Sequence, residues 1–166
     1  DKETGNIRST PEIEKKLLER KRINHKAANK LEAYKAILRS EFDIRKNLKY
    51  TLVYVPEGVE SNFDETDYSI ETEDENRLIN EYTKAVSQTD DSVMVKQFTA
   101  NSSNRKEILK NFEQSNIHVL TSMKCLDEGV DVPRSELAIF CASTGNPRQF
   151  IQRRGRVLRL HKDKIL

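Results

Sequence analysis

The sequence predicts an α/β fold, a doubly wound and mainly parallel sheet preceded by N-terminal helices. From residue 50 onward, short apolar runs alternate with helix-length stretches. Alternation of this kind implies parallel strands joined by right-handed crossovers, with helices on both faces. The runs Val53-Tyr54-Val55 and Val93-Met94-Val95 lack strict polar alternation, as strands covered on both faces should. Finally, the run Ile117-His118-Val119-Leu120 leads into a turn carrying Gly129 and Asp131. Open α/β sheets place ligand-binding groups at such strand ends.

Taken in order, Thr10-Pro11-Glu12 is a helix start, with a hydroxyl cap, Pro at the first helical position and a carboxylate in the first turn. Helices are predicted over 11–24 and 26–40, within a lead-in that spans 1–47. Leu31, Tyr34, Ile37 and Leu38 form an apolar stripe, so the second helix should dock while the first projects. The α/β domain should occupy 48–166: strand 50–55, helix 76–88, strand 92–98, helix 103–114, strand 117–122, strand 137–142 and helix 147–158. Glu57 to Glu75 is dense in Asp and Glu with few large apolar residues. It buries too little to offset its ordering entropy, so a mobile loop is expected there. Ser143 to Pro147 reads as turn and cap chemistry before the last helix.

The chain has 166 residues, enough for one domain with a real core. Its start at Asp1 rather than Met leads us to expect a piece of a longer protein. Charged residues make up 34%, yet the formal net charge is only +2. Any nucleic-acid surface must therefore be a local patch. No run approaches the roughly 20 apolar residues needed to span a bilayer, and no secretory signal is apparent; no membrane partner and a cytoplasmic location are expected. Cys125 and Cys141 lack Cys-x-x-Cys spacing and should be reduced. The three histidines are scattered, and the acidic stretch lacks the ligand spacing of a calcium loop. No resident metal site is expected.

The most informative segment is Gln152-Arg153-Arg154-Gly155-Arg156-Val157-Leu158-Arg159. At 3.6 residues per turn, Gln152, Arg156 and Arg159 share one helical face, while Ile151 and Leu158 are expected to bury on another. Two guanidinium forks one turn apart suit the spread negative charge of a transferring phosphoryl group. For Arg153 and Arg154, a salt bridge to the domain's own acidic groups and a ligand contact both stay open.

Together with Leu126 to Pro133, this segment resembles superfamily 2 helicases and translocases, in the second RecA-like domain of the motor. Thr51 to Val55 looks like the motif IV strand, and Gln97-Phe98-Thr99-Ala100 with Arg105 to Phe112 like the strand and helix after it. Leu120 to Pro133 looks like motif V, and Gln152 to Arg159 like motif VI. The likeness covers roughly residues 48 to 162. Gln152 stands where DEAD-box RNA helicases carry His, which directs the resemblance toward DNA repair helicases and restriction-system motors within the wider DEAD/DEAH-related group.

The resemblance implies a RecA-like P-loop NTPase fold and an ATP-dependent DNA motor. Arg156 and Arg159 would insert into ATP bound with Mg on the opposite, N-terminal RecA-like lobe of the same polypeptide, with Gln152 near the γ-phosphate or attacking water. Arginine fingers of this kind are worth on the order of 10³ to 10⁵ in rate. In the motif V match, Gly129 permits a tight backbone path and Asp131 is placed to accept from a ribose hydroxyl. Thr121, Ser122 and Lys124 at the same strand end suit hydrogen bonding to nucleic-acid phosphates, and Thr99 lines the same sheet edge. Lys124 could equally be a solvated side chain. The sequence holds no Gly-x-x-x-x-Gly-Lys-Ser/Thr loop, so the half that grips the triphosphate is not in it. Alternatives are the motor of a restriction-system translocase, a non-hydrolysing nucleic-acid-binding module of the same fold, and an unrelated doubly wound domain that binds nucleotide alone.

Overall fold

Which face each side chain takes follows from the pleat of the strands in the computed structural model, which describes residues 10–25, 27, 29–56, 68–123, 132, 134–141 and 147–157. The elements are α1 (Pro11–His25), α2 (Asn29–Arg45), β1 (Thr51–Tyr54), α3 (Tyr68–Ser87), β2 (Val95–Gln97), α4 (Arg105–Glu113), β3 (Val119–Ser122), β4 (Leu137–Phe140) and α5 (Pro147–Val157). The four strands form one parallel sheet in the order β2-β3-β1-β4.

Successive residues of β1 point to opposite faces. Val53 and Val55 join Val119, Ile139, Ile79, Tyr82, Val86, Tyr34 and Leu38 in the core under α2 and α3. Leu52 and Tyr54 join Leu120, Phe98, Ile108 and Phe112 in the core under α4. Helices on both faces explain why β1 and β3 are buried at every position. The winding agrees with a single handedness. From β1 the chain crosses via α3 on one face to β2, and it returns via α4 on the other face to β3. Reversing direction across a sheet while keeping right-handed crossovers requires that change of face.

Most element boundaries agree with expectation to within a few residues. Thr10 Oγ1 accepts from the Ile13 N–H at 3.4 Å, as the cap at the start of α1 requires. The described side chains of α1 are largely exposed, with Leu17 and Ile23 open to solvent. Helix α2 docks through Tyr34 and Leu38, while Ile37 is exposed. It runs five residues past its predicted end because Phe42 continues the packing and Arg45 pairs with Glu136 at 2.9 Å.

One difference is larger. Residues 68–75, expected as part of a mobile acidic loop, are the first turns of α3. That stretch contains neither Gly nor Pro, and its Glu residues are good helix formers. Extending an already docked helix also avoids a fresh nucleation cost. Residues 57–67 of the expected loop lie outside the described residues.

His118 ties β2 to β3, its Nδ1 accepting from the Met94 N–H at 3.3 Å. Burial first, and then the Lys49 charge, hold this imidazole below its ordinary range. Its folded pKa is depressed, so the unfolded chain binds more protons in that window. The stability it contributes is fully present above the ordinary value of about 6.5 and is lost as pH falls below it. Thermal melts between pH 7.5 and 5 should show a decline that is shallower in His118→Gln; equal slopes would remove His118 as its source.

Candidate functional site

Because all four strands are parallel, their carboxyl ends share one edge. Two neighbours there, β1 and β3, send their connections to opposite sides: α3 lies on one face, while Val132, on the way from β3 to β4, packs in the core of the other. A crevice opens where adjacent strand exits part in this way, and such a point is the usual ligand position of a doubly wound sheet. Here Tyr54, Val55 and Pro56 flank it from β1, and Ser122 and Met123 from β3.

Helix α5 closes over this point. Phe150 packs on Phe140 at 5.9 Å, and Phe140 stacks on Tyr54 with ring planes 4° apart and centroids 4.9 Å apart. The Arg153 guanidinium lies 5.1 Å from the Tyr54 ring centroid, and Nη2 donates to the Met123 carbonyl at 3.5 Å. Arg153 is only 3% exposed. These contacts, to an aromatic ring and a main-chain carbonyl, are of a different kind from the acidic salt bridge and the ligand contact left open for this residue. Arg154 is exposed.

The face expected to bury is displaced. Ile151 is 60% exposed, and the residue turned inward is Arg153, flanked by Phe150 and half-buried Val157. The spacing of Phe150, Arg153 and Val157 (three, then four) is the signal that was available, overlooked because the middle residue is charged. Gln152 is exposed. Arg156 belongs to α5, but its side chain, with Leu158, Arg159, Lys124, Gly129, Asp131 and Cys125, lies outside the described residues.

The hydroxyls after and within the strands divide. Thr99, half-buried, follows β2, with its N–H donating to Ser102 Oγ at 2.8 Å. It lines an open cleft of about 410 Å³, whose walls mix Gln97, Asn101, Ser102 and Ser103 with Val95 and Ile108. Thr121 and Ser122 are fully buried in β3. Thr121 Oγ1 lies 2.8 Å from Thr83 Oγ1, which donates to the Ile79 carbonyl at 2.6 Å. With the Thr83 proton so committed, Thr121 must be the donor. Gln97 Nε2 extends the network, bonding Thr83 at 3.3 Å and Asn80 at 2.8 Å. In this conformation Thr121 is an internal tie between α3 and β3 rather than a group presented to a phosphate, because its hydroxyl has been taken out of solvent and satisfied. This network was missed in the sequence, since its members are scattered over three elements.

Cys141, at the end of β4, is a free buried thiol pushed up to about 12 by burial. Among the described residues no group of His, Cys, Asp and Glu could hold a metal ion, and no helix is long and apolar enough to cross a membrane.

Residues 66–161, more than half the chain, match the helicase conserved C-terminal domain family. The chain belongs to that family. The helicase C-terminal domain so identified is built as a parallel four-stranded sheet between helices. It is 48% identical over 60 residues to the DNA 3'-5' translocase XPB2 of Sulfurisphaera tokodaii, covering 36% of this chain and 13% of that protein. It is 37% identical over 62 residues to the ATP-dependent DNA helicase MPH1 of Scheffersomyces stipitis, covering 37% of this chain and 6% of that protein. The matched region is thus a small part of either relative. Among solved structures, the Pyrococcus furiosus Hef helicase domain aligns with TM-score 0.49 and 24% identity over 76% of this chain and 23% of that one. The C-terminal domain of the DEAD-box protein Dbp5 aligns with TM-score 0.49 and 13% identity, over 82% and 67% respectively.

Proposed function

We propose that this helicase C-terminal domain is the second RecA-like lobe of an ATP-dependent DNA helicase or translocase of superfamily 2. In this reading ATP and Mg are held mainly by a first RecA-like lobe of the same polypeptide. Arg156 and Arg159 reach the γ-phosphate from this lobe as it closes, and Gln152 orders the γ-phosphate or the attacking water. Two guanidiniums there would neutralise charge as it develops in the transition state, in a site from which closure excludes water. Reopening after hydrolysis shifts the lobe along the strand.

The observation that carries this reading is the seating of α5. With Arg153 buried against the crevice and Gln152 exposed, the helix is held so that its Gln152 side faces out from the ligand edge of the sheet. Arg156, four residues on, shares that side by helical periodicity. Gly129 and Asp131 would form the nucleotide-side turn, with the Asp131 carboxylate accepting from the ribose. Lys124 and Thr99 would track the nucleic-acid backbone, and Thr121 and Ser122 would support the strand end beneath them. The DNA named for both curated relatives favours DNA as the track.

The test is ATP hydrolysis by the longer polypeptide with single-stranded DNA, duplex DNA or RNA as activator. DNA should stimulate turnover while RNA should not, and the isolated domain should have none. Stimulation by duplex alone would move the assignment to a duplex-pumping motor of the restriction type. Stimulation by RNA alone would overturn the DNA assignment, and no hydrolysis with any activator would leave a non-hydrolysing binding module.

A further inference from the structure

Doubly wound sheets usually leave the crevice between divergent strand exits to a ligand. Here the protein's own Arg153 occupies it. The side chain comes from α5, its guanidinium lies against the Tyr54 ring at the end of β1, and it donates to Met123 at the end of β3. Tyr54 is itself held, fully buried and stacked flat on Phe140 of β4. One planar cation therefore touches the ends of two adjacent strands and, through Tyr54 and Phe140, is braced on a third.

Burying a cation is costly unless its environment compensates, and here the Tyr54 ring face and the Met123 carbonyl contribute to that compensation. A planar guanidinium does two things an apolar residue cannot. It stacks on a ring face and holds a carbonyl in a defined direction at once. Both contacts constrain the rotation of α5 about its axis as well as its distance from the sheet. Arg156 lies three residues further along that helix, so a change in rotation there moves its Cα and swings the side chain.

We infer that Arg153 is a positioning residue, a strut that sets the rotation of α5 and thereby the aim of Arg156, while fixing the Met123 strand end from which residues 124–131 depart. This rests on the reading of α5 as the arginine-bearing helix of the motor. Misplacing a reacting group by about 1 Å can cost on the order of 100-fold in rate.

The experiment uses the longer polypeptide, with DNA-stimulated ATP turnover, KM for ATP and the melting temperature measured for each variant. Arg153→Lys keeps the charge but loses the planar fork; kcat should fall about tenfold or more, with KM changed less than about threefold. Added to Arg156→Ala, it should lower kcat by less than about twofold further, because it acts through a group already removed, whereas its effect on the melting temperature should persist. A merely structural role would make the two losses in kcat additive. Tyr54→Phe, which keeps the ring, should hold kcat within about twofold, and Tyr54→Leu, which removes it, should not.

If Arg156→Ala abolishes turnover while Arg153→Lys stays within about twofold of the parent, this inference alone is overturned. If Arg156→Ala leaves turnover intact, the reading of α5 fails and the inference with it. If Arg153→Lys does not fold, Tyr54→Leu decides; failure of both to fold would make Arg153 a structural residue and overturn the inference.

Discussion

Replacing Arg156 by Ala in the longer polypeptide should lower ATP turnover by about 10³-fold or more, and Arg159→Ala should act in the same direction. In the proposed reading the interaction removed is one made in the transition state, so kcat and kcat/KM should fall together. Single-strand affinity without nucleotide should hardly change, because in the proposed reading these two residues act on the interlobe phosphate and not on the nucleic acid. Lys124→Ala should do the reverse, removing about one phosphate contact, weakening DNA binding and reducing the salt slope by roughly one unit. Stopped-time hydrolysis assays and salt-dependent binding curves measure the two arms separately. Intact turnover in Arg156→Ala, with lost DNA affinity, would make the α5 surface a nucleic-acid patch.

Phe112→Ala should cost about 3–5 kcal/mol of folding stability, which is a large part of the roughly 5–15 kcal/mol a domain of this kind possesses. Phe112 is fully buried on α4 and meets Tyr50 edge-on with centroids 6.0 Å apart. It lies among Leu52, Tyr54 and Leu120, side chains of two different strands, so neighbours anchored in the sheet cannot collapse into the space it leaves. By contrast, Glu32 and Lys35 pair at 2.7 Å on the exposed side of α2 with Glu32 72% exposed, and breaking that pair should change stability by less than about 1 kcal/mol. Urea unfolding of the two variants against the parent checks the ranking. A Phe112→Ala midpoint close to that of Glu32→Ala would mean the α4 face is not the tight core described here.

The alternation of strands and helices was legible because periodicity is local: Val53 and Val55 alternate with Leu52 and Tyr54 whichever helices cover them, and a chain that buries both faces reads as continuously apolar. The start of α1 was legible for the same reason, since a cap acts over three residues. Helix α3 was less so. Its acidic first turns resemble a solvated loop in composition, and only continuity with the docked part of the helix, at Ile79, Tyr82 and Val86, accounts for their being helical.

At the candidate site the sequence alone determined the chemistry on offer: a Gln and two Arg at a spacing that suits one helical face, and a Gly and an Asp following an apolar run. These follow from residue identity and spacing. Tertiary structure decided which groups remain available. It buried Thr121 and gave its hydroxyl to Thr83, and it left Ile151 in solvent. It also turned Arg153 into the crevice between β1 and β3, onto Tyr54 and Met123. No local pattern encodes that crevice, because it exists only where strands from distant parts of the chain lie side by side and their exits part to opposite faces of the sheet.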